Sequence, residues 1–249
     1  MNKTVVILPT YNESENLPIL VPRLMDLDVE RLSVLIVDDD SPDGTGMIAD
    51  ELTLAYPGRV ETIHRIGVQR GLGAAYFDGF RWAISDGADI VVSMDADLSH
   101  DPSCIPQMID LIPQYDLVIG SRYTKGGSID GNWGISRFVL SHAAQWYIQL
   151  VLGLKTRDAT SAFRCYSRST LKHLDFSSLW PSGFGFLIEV IYHSERLGLN
   201  LIEIPIVFLD RRWGQSKVSP RVIIAAMVRV AMIRLRSMQD NKAFLRRLL

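Results

Sequence analysis

Five short runs of β-branched and apolar residues constrain this chain more than any other feature: Thr4 to Leu8, Ser33 to Val37, Val60 to His64, Ile90 to Met94 and Leu117 to Ile119. Helical patterns fill the gaps between them, from Ser14 to Leu27, Gly44 to Tyr56, Leu72 to Asp86 and Pro102 to Pro113. Strands alternating with helices predict an α/β fold built on a mostly parallel sheet. The near-continuous hydrophobicity of each run predicts strands covered on both faces.

Beyond Tyr123 the texture changes. A glycine-rich loop, TKGGSIDGNWG, precedes an apolar helix from about Arg137 to Leu152. A strand around Phe163 to Tyr166, a helix near Phe186 to Leu197, a strand from Leu201 to Phe208 and a terminal helix from Pro220 follow. No internal repeat or low-complexity linker divides the chain. With 249 residues, 47% of them hydrophobic, it can bury one large core, and residues 1–249 are expected to form a single domain. Within it, 1–123, 124–217 and 218–249 read as two working halves and a tail.

The formal net charge of −2 argues against a nucleic-acid partner, because phosphate backbones select strongly basic surfaces. Charge placement says more. From Lys217 onward eight basic residues face one acid, Asp240, which leaves 18 basic against 27 acidic residues before it. An acidic body thus carries a cationic tail. The two cysteines, Cys104 and Cys165, have no CxxC spacing, so neither a disulfide framework nor a zinc site is encoded and a reducing compartment fits. MNKTVVILPTYNE reads as a first strand rather than a leader. The apolar stretch Val222 to Leu235 is interrupted by Arg229 and Arg234 and falls short of the roughly 20 residues a bilayer span needs. The expected location is cytoplasmic, peripheral to a membrane.

Ligands of open parallel sheets bind beyond the carboxyl ends of the strands, and four of the five exits are polar: Pro9-Thr10-Tyr11-Asn12-Glu13, Asp38-Asp39-Asp40-Ser41, Asp95-Ala96-Asp97 and Gly120-Ser121-Arg122-Tyr123. Paired carboxylates at a strand end, such as Asp95 and Asp97, can hold a hard cation that also meets diphosphate oxygens. The competing account is a turn or helix cap, although Asp101 before Pro102 is the better cap candidate. Asp38, Asp39 and Asp40 repel one another unless a ligand or donor offsets them, and Ser41-Pro42-Asp43-Gly44 is a strong turn signal in its own right. Arg70-Gly71-Leu72-Gly73 opens a helix whose free amides can meet phosphate. A glycine turn with a surface arginine explains it equally well.

Arg122, Arg137 and the segment from Arg211 to Lys217 supply cations to this acidic edge. They imply a second anion, held by planar guanidinium groups. On the terminal helix Arg221, Arg229 and Arg236 project within one broad sector at about 100° per residue. With Trp146 and Tyr147 on the earlier helix, this favours a membrane surface or a partner helix, against ordinary core packing. Trp180, Met94 and Met108 read as core.

Taken together, PTYNE (9–13), VDDDSPDGT (37–45), RGLGAA (70–75), DADLSH (95–100), GSRY (120–123) and RRWGQSK (211–217) resemble the dolichyl-phosphate mannose synthases, inverting family 2 glycosyltransferases with the Rossmann-like GT-A fold. The resemblance spans about residues 3–217. It implies a nucleotide-sugar donor, GDP-mannose, a polyprenyl phosphate acceptor and a Mg²⁺ or Mn²⁺ ion held by Asp95 and Asp97. It further implies that Pro9, Tyr11, Glu13, Val37, Asp39, Arg70 and Ala96 surround the nucleotide, and that Arg211 and Lys217 close over it. Arg122, Arg137 and Ser141 then fit the acceptor phosphate, with Asp97 and Arg122 nearest the chemistry. The sequence departs at Ser99, where these enzymes commonly carry glutamine, and at Gly185, where some relatives place a polar donor contact.

The first part, 1–123, is then the donor half, 124–217 the acceptor half and 218–249 an interfacial tail that can also meet a membrane-anchored partner. A UDP-sugar transferase acting on the same lipid, a nucleotidyltransferase and a non-enzymatic membrane scaffold are the alternatives.

Overall fold

The computed structural model describes residues 2–130, 134–174, 179, 184–210 and 225–237. Arg211, Lys217, Arg221, Trp180 and the basic residues from Lys242 onward lie outside them. The elements run β1 (Thr4–Thr10), α1 (Leu17–Met25), β2 (Leu32–Asp38), α2 (Thr45–Ala55), β3 (Val60–His64), α3 (Leu72–Ser85) and β4 (Ile90–Ser93). A short 3-10 turn leads into α4 (Ile105–Leu111), followed by β5 (Leu117–Ser121), β6 (Ser128–Ile129), α5 (Ile135–Leu152), β7 (Arg164–Ser167) and α6 (Arg168–His173). Then come α7 (Phe184–Arg196), β8 (Leu201–Pro205) and β9 (Val207–Phe208), with a final helical stretch over 225–237.

The main sheet has the order β3-β2-β1-β4-β7-β5-β8. All neighbours are parallel except β7, which runs antiparallel between β4 and β5. The mostly parallel sheet expected from the strand–helix alternation is therefore present. The β6–β9 ribbon and the reversed β7 are not visible in that alternation.

Side chains alternate across each strand and feed two cores. Val5 and Ile7, with Leu35 and Val37, pack under α3, where Tyr76 and Phe80 join them. Val6 and Leu8, with Val34 and Ile36, pack against Leu17, Leu20 and Leu24 of α1. Each fully buried side chain of this kind stabilises the fold by about 1.5–3 kcal/mol, which is why strands with no polar face are stable here. At Gly79 an added Cβ would lie 2.6 Å from Ile7 Cγ2, so α3 crosses β1 closely enough to require glycine.

β4 pairs with β1 only as far as Ile7↔Ser93. Pro9, which has no N–H to give, lies past that ladder, and β4 is free to leave the sheet as Asp95-Ala96-Asp97.

The terminal stretch corrects one expectation. Arg229 does not project from a polar face with Arg236. It is buried, and its Nη2 donates to Glu189 Oε1 on α7 at 2.7 Å. Gly185 makes the room, since an added Cβ there would lie 3.1 Å from Arg229 Cγ. Arg234 and Arg236 remain exposed. No helix among the described residues is long and apolar enough to cross a membrane. Met94 and Met108 are fully buried, as expected.

Candidate active site

Because β1, β2, β4, β5 and β8 are parallel, their carboxyl ends share one edge; antiparallel β7 begins there, so the segment from Asp158 to Phe163 arrives at the same place. The polar exits singled out in the sequence thus converge, together with residues the sequence did not mark.

The three consecutive aspartates are each met by donors of the protein itself. Asp38 is buried and accepts from Thr10 Oγ1 at 3.1 Å, Ser41 N–H at 3.1 Å and Ser41 Oγ at 2.6 Å, which is the turn reading. Asp39 is also buried; it pairs with Arg65 Nη1 and accepts from Gly71 N–H at 2.6 Å. Arg65 reaches on to Asp78 at 2.8 Å. Asp40 pairs in the open with Arg70 at 2.7 Å, whose guanidinium carbon lies 5.2 Å from the centre of the Tyr11 ring.

Before α1, Glu13 accepts from Asn16 Nδ2 at 2.7 Å, while its N–H donates to Thr45 Oγ1 at 2.9 Å. Pro9 is half-buried beside this turn. Val37 and Ala96, expected beside the nucleotide, are buried with their side chains in the two cores. Neither presents a side chain to the cleft.

At the end of β4, Leu98 adopts a left-handed conformation with φ 63°, turning the chain so that Ser99 folds back on Asp97. The Ser99 N–H and Oγ both donate to Asp97 Oδ1, at 3.1 and 2.5 Å. The Asp95 N–H donates to His100 Nδ1 at 3.3 Å, and the buried imidazole is packed between Phe163 and Phe208. Asp95 and Asp97 are thus presented on a braced turn. Among the described residues no group of three or more His, Cys, Asp or Glu can hold a metal. Two carboxylates one residue apart suit a Mg²⁺- or Mn²⁺-type ion whose other ligands come from a diphosphate and water.

Across the edge, Arg122 is paired with buried Asp158. Its Nε and Nη2 donate to the two oxygens of Asp158 at 2.8 and 2.7 Å, and Nη2 also donates to Thr160 Oγ1 at 2.8 Å. Its plane packs against Tyr123 and Phe208. Burial works against the Arg122 charge, but Asp158 beside it holds the pKa above its ordinary value. The reciprocal effect outweighs burial at Asp158 and keeps that carboxyl below its usual range. Nε and Nη2 of Arg122 are thus engaged by Asp158 and Thr160.

Arg137, by contrast, is half-exposed near the start of α5 and meets Asp210 at 3.3 Å. Ser141, one turn on, hydrogen-bonds the Tyr123 hydroxyl.

The sequence also gave no signal for the braces behind Asp158. Its N–H and that of Arg157 donate to Glu203, at 2.9 and 3.0 Å, and Glu195 accepts from the Lys155 and Thr156 amides. Isolated glutamates on a helix and a strand carry no motif.

The chain is 43% identical over 230 residues to a polyprenol monophosphomannose synthase of Mycolicibacterium smegmatis, covering 92% of this chain and 86% of the relative. It is 41% identical over 228 residues to an undecaprenyl-phosphate mannosyltransferase of Micrococcus luteus, covering 92% of each. Among solved structures, glucosyl-3-phosphoglycerate synthase from Mycobacterium tuberculosis, in complex with Mn²⁺, UDP-glucose and phosphoglyceric acid, superposes with a TM-score of 0.66 over 95% of this chain and 79% of that one. At 20% identity that likeness speaks for a shared GT-A fold alone. Residues 5–175 match the family described as Glycosyl transferase family 2, a stretch that runs from β1 through the aspartate pair to the end of α6. On the match and on the two relatives alike, the chain belongs to glycosyl transferase family 2.

Proposed function

We propose that the chain transfers mannose from GDP-mannose to a polyprenyl phosphate, with inversion at the anomeric carbon and release of GDP. The observation that carries this reading is the pair of relatives above 40% identity, whose names join mannose to a polyprenyl phosphate lipid.

In this reading an oxygen of the lipid phosphate forms the new bond to the anomeric carbon as the bond to the donor diphosphate breaks. A phosphate monoester, with second pKa around 6, is already largely anionic at neutral pH, so no side-chain base is required. Asp95 and Asp97 would hold a Mg²⁺ or Mn²⁺ ion, with the Asp97 carboxylate fixed by Ser99. When bound, the ion neutralises charge on the departing diphosphate.

The Tyr11–Arg70 stack and the Pro9–Glu13 turn frame the nucleotide beside Asp39. Arg137 and Ser141 face the lipid phosphate. Arg122, fixed by Asp158, walls the cleft between the two substrates. The protein's contribution is then positioning and charge compensation.

The lipid tail needs an apolar landing. Phe138, Val139, Trp146 and Leu150 on α5 are exposed, as are Val228 and Leu235 on the terminal stretch. The two helices are joined where Tyr147 Oη donates to Met227 O at 3.2 Å. A shared apolar face flanked by exposed Arg234 and Arg236 suits seating on a membrane surface, at the cytoplasmic side.

Incubating the protein with GDP-mannose, UDP-glucose and other sugar nucleotides, each with a short polyprenyl phosphate, tests the assignment by mass spectrometry. Mannosyl phosphoryl polyprenol and GDP are the expected products. Turnover with a UDP-sugar alone overturns it.

A further inference from the structure

Phe208 ends β9, where it pairs with Ile129 of β6 and its carbonyl accepts the Asp130 N–H at 2.8 Å. Val207 and Leu209 on either side are exposed, whereas Phe208 is half-buried, so the strand's alternation turns its ring inward. Two parts of the site meet on that ring. It stands across the His100 imidazole, with ring centres 5.5 Å apart at 72°, and that imidazole accepts the Asp95 N–H through Nδ1 at 3.3 Å. It also carries the Arg122 guanidinium, whose carbon lies 5.1 Å from the ring centre. One residue on, the Leu209 N–H donates to Ser99 O at 3.0 Å, which ties the end of β9 to the aspartate turn itself.

Asp158 and Thr160 hold Arg122 by the edge of its guanidinium plane. Bonds of that kind limit sideways motion and resist tilting less. The ring faces of Phe208 and Tyr123, at 5.1 and 5.2 Å, restrain the tilt. Burial works against the Arg122 charge; Asp158 outweighs it, and Asp95 adds to the field that holds the pKa above its ordinary value. The aspartate turn and the arginine thus lie within electrostatic reach of each other, with one ring packed on both.

We infer that Phe208 is a positioning residue, a spacer whose ring fixes the separation between the aspartate turn and Arg122 and with it the gap across which the sugar is transferred. This rests on the reading of Asp95 and Asp97 as the metal pair and of the cleft beside them as the place of transfer. Each side keeps its own bracing without the ring: Ser99 still holds Asp97, and Asp158 still holds Arg122. Loss of the ring therefore spares binding and slows transfer, because a misplacement of about 1 Å between reacting groups costs about 100-fold in rate.

Phe208→Ala should lower kcat for mannosyl transfer at least about tenfold. The KM for GDP-mannose and that for a short polyprenyl phosphate should each stay within about threefold, and the melting temperature within a few degrees. Phe208→Leu, which fills the space but offers a guanidinium no ring face, should behave like the alanine variant, and Phe208→Tyr should restore most of the rate. A second readout needs no turnover. With Mn²⁺ and GDP saturating, phosphorus NMR of the bound polyprenyl phosphate reports its distance from the ion through paramagnetic relaxation. In Phe208→Ala that relaxation should change about twofold, the effect of a displacement of about 1 Å, and in Phe208→Tyr it should stay as it is.

Unchanged kcat and relaxation in Phe208→Ala overturn this inference alone. A rise in both KM values in step with the fall in kcat, or failure of the alanine and leucine variants to fold, overturns it as well. An unsubstituted protein that transfers no mannose, or takes up no Mn²⁺ with GDP, brings down the functional reading and the inference with it.

Discussion

Asp158 holds Arg122 through both of its oxygens, at 2.8 Å from Nε and 2.7 Å from Nη2, and accepts the Arg122 backbone N–H at 3.0 Å as well. Removing one member of a buried pair strands the other charge, at a cost of about 3–5 kcal/mol. Asp158→Asn should therefore lower unfolding stability by that order at pH 7, measured by denaturant titration. The folded carboxyl titrates below its usual value of 3.8. Its stabilisation is present above the unfolded pKa and is lost as pH falls through the folded one. The stability gap between the two proteins should accordingly narrow below about pH 4.

Ser99 tests the metal turn without touching its charge. It donates twice to Asp97 Oδ1, and groups that orient a metal ligand typically contribute about 10–100-fold to metal affinity. Ser99→Ala should raise the Mn²⁺ concentration for half-maximal sugar transfer about tenfold, whereas Asp97→Ala should abolish transfer. An unchanged metal titration for Ser99→Ala would remove the serine from the site.

Arg137 differs from Arg122 in being exposed, and its contact to Asp210 is longer, at 3.3 Å. Steady-state kinetics of Arg137→Ala should show a KM for polyprenyl phosphate raised at least about tenfold, the scale of one charge-assisted contact, with the donor KM nearly unchanged. Equal rises in both would contradict an acceptor role.

Membrane seating predicts a split between two arginines of the terminal stretch. Arg236 is exposed, and Arg236→Glu together with Trp146→Glu should reduce sedimentation with anionic vesicles while leaving the melting temperature within a few degrees. Arg229→Glu should instead destabilise the fold by about 3–5 kcal/mol, because it places a second carboxylate against buried Glu189. Unchanged sedimentation of the first variant would reject the surface.

The strands were legible because parallel strands buried on both faces leave an unbroken apolar signature, and the exits were legible because polar residues cannot continue it. Periodicity carries no strand direction, so β7 gave no sign of running backward between β4 and β5. Pairings between distant residues were hidden for a related reason. Arg65 against Asp39 and Glu189 against Arg229 are separated by 26 and 40 positions, and nothing local marks either partner. On the terminal helix, angular projection grouped Arg229 with Arg236; it could not register that Gly185 opens a notch into which one arginine fits. The aspartate turn was readable as a motif, but its bracing by Ser99 and His100 depends on a left-handed Leu98.

The position of β7 also shapes how the chain is made. Its partner strand β4 ends at Ser93, yet the residues that cover that edge begin at Arg164, about 70 positions later. At the usual ribosomal pace of about 5–20 residues per second, the emerging protein exposes a raw, apolar sheet border for several seconds. Such borders recruit other chains. Nascent copies should thus rely on holding chaperones until Ser167 has cleared the exit tunnel, and fragments that stop short of it should clump rather than fold.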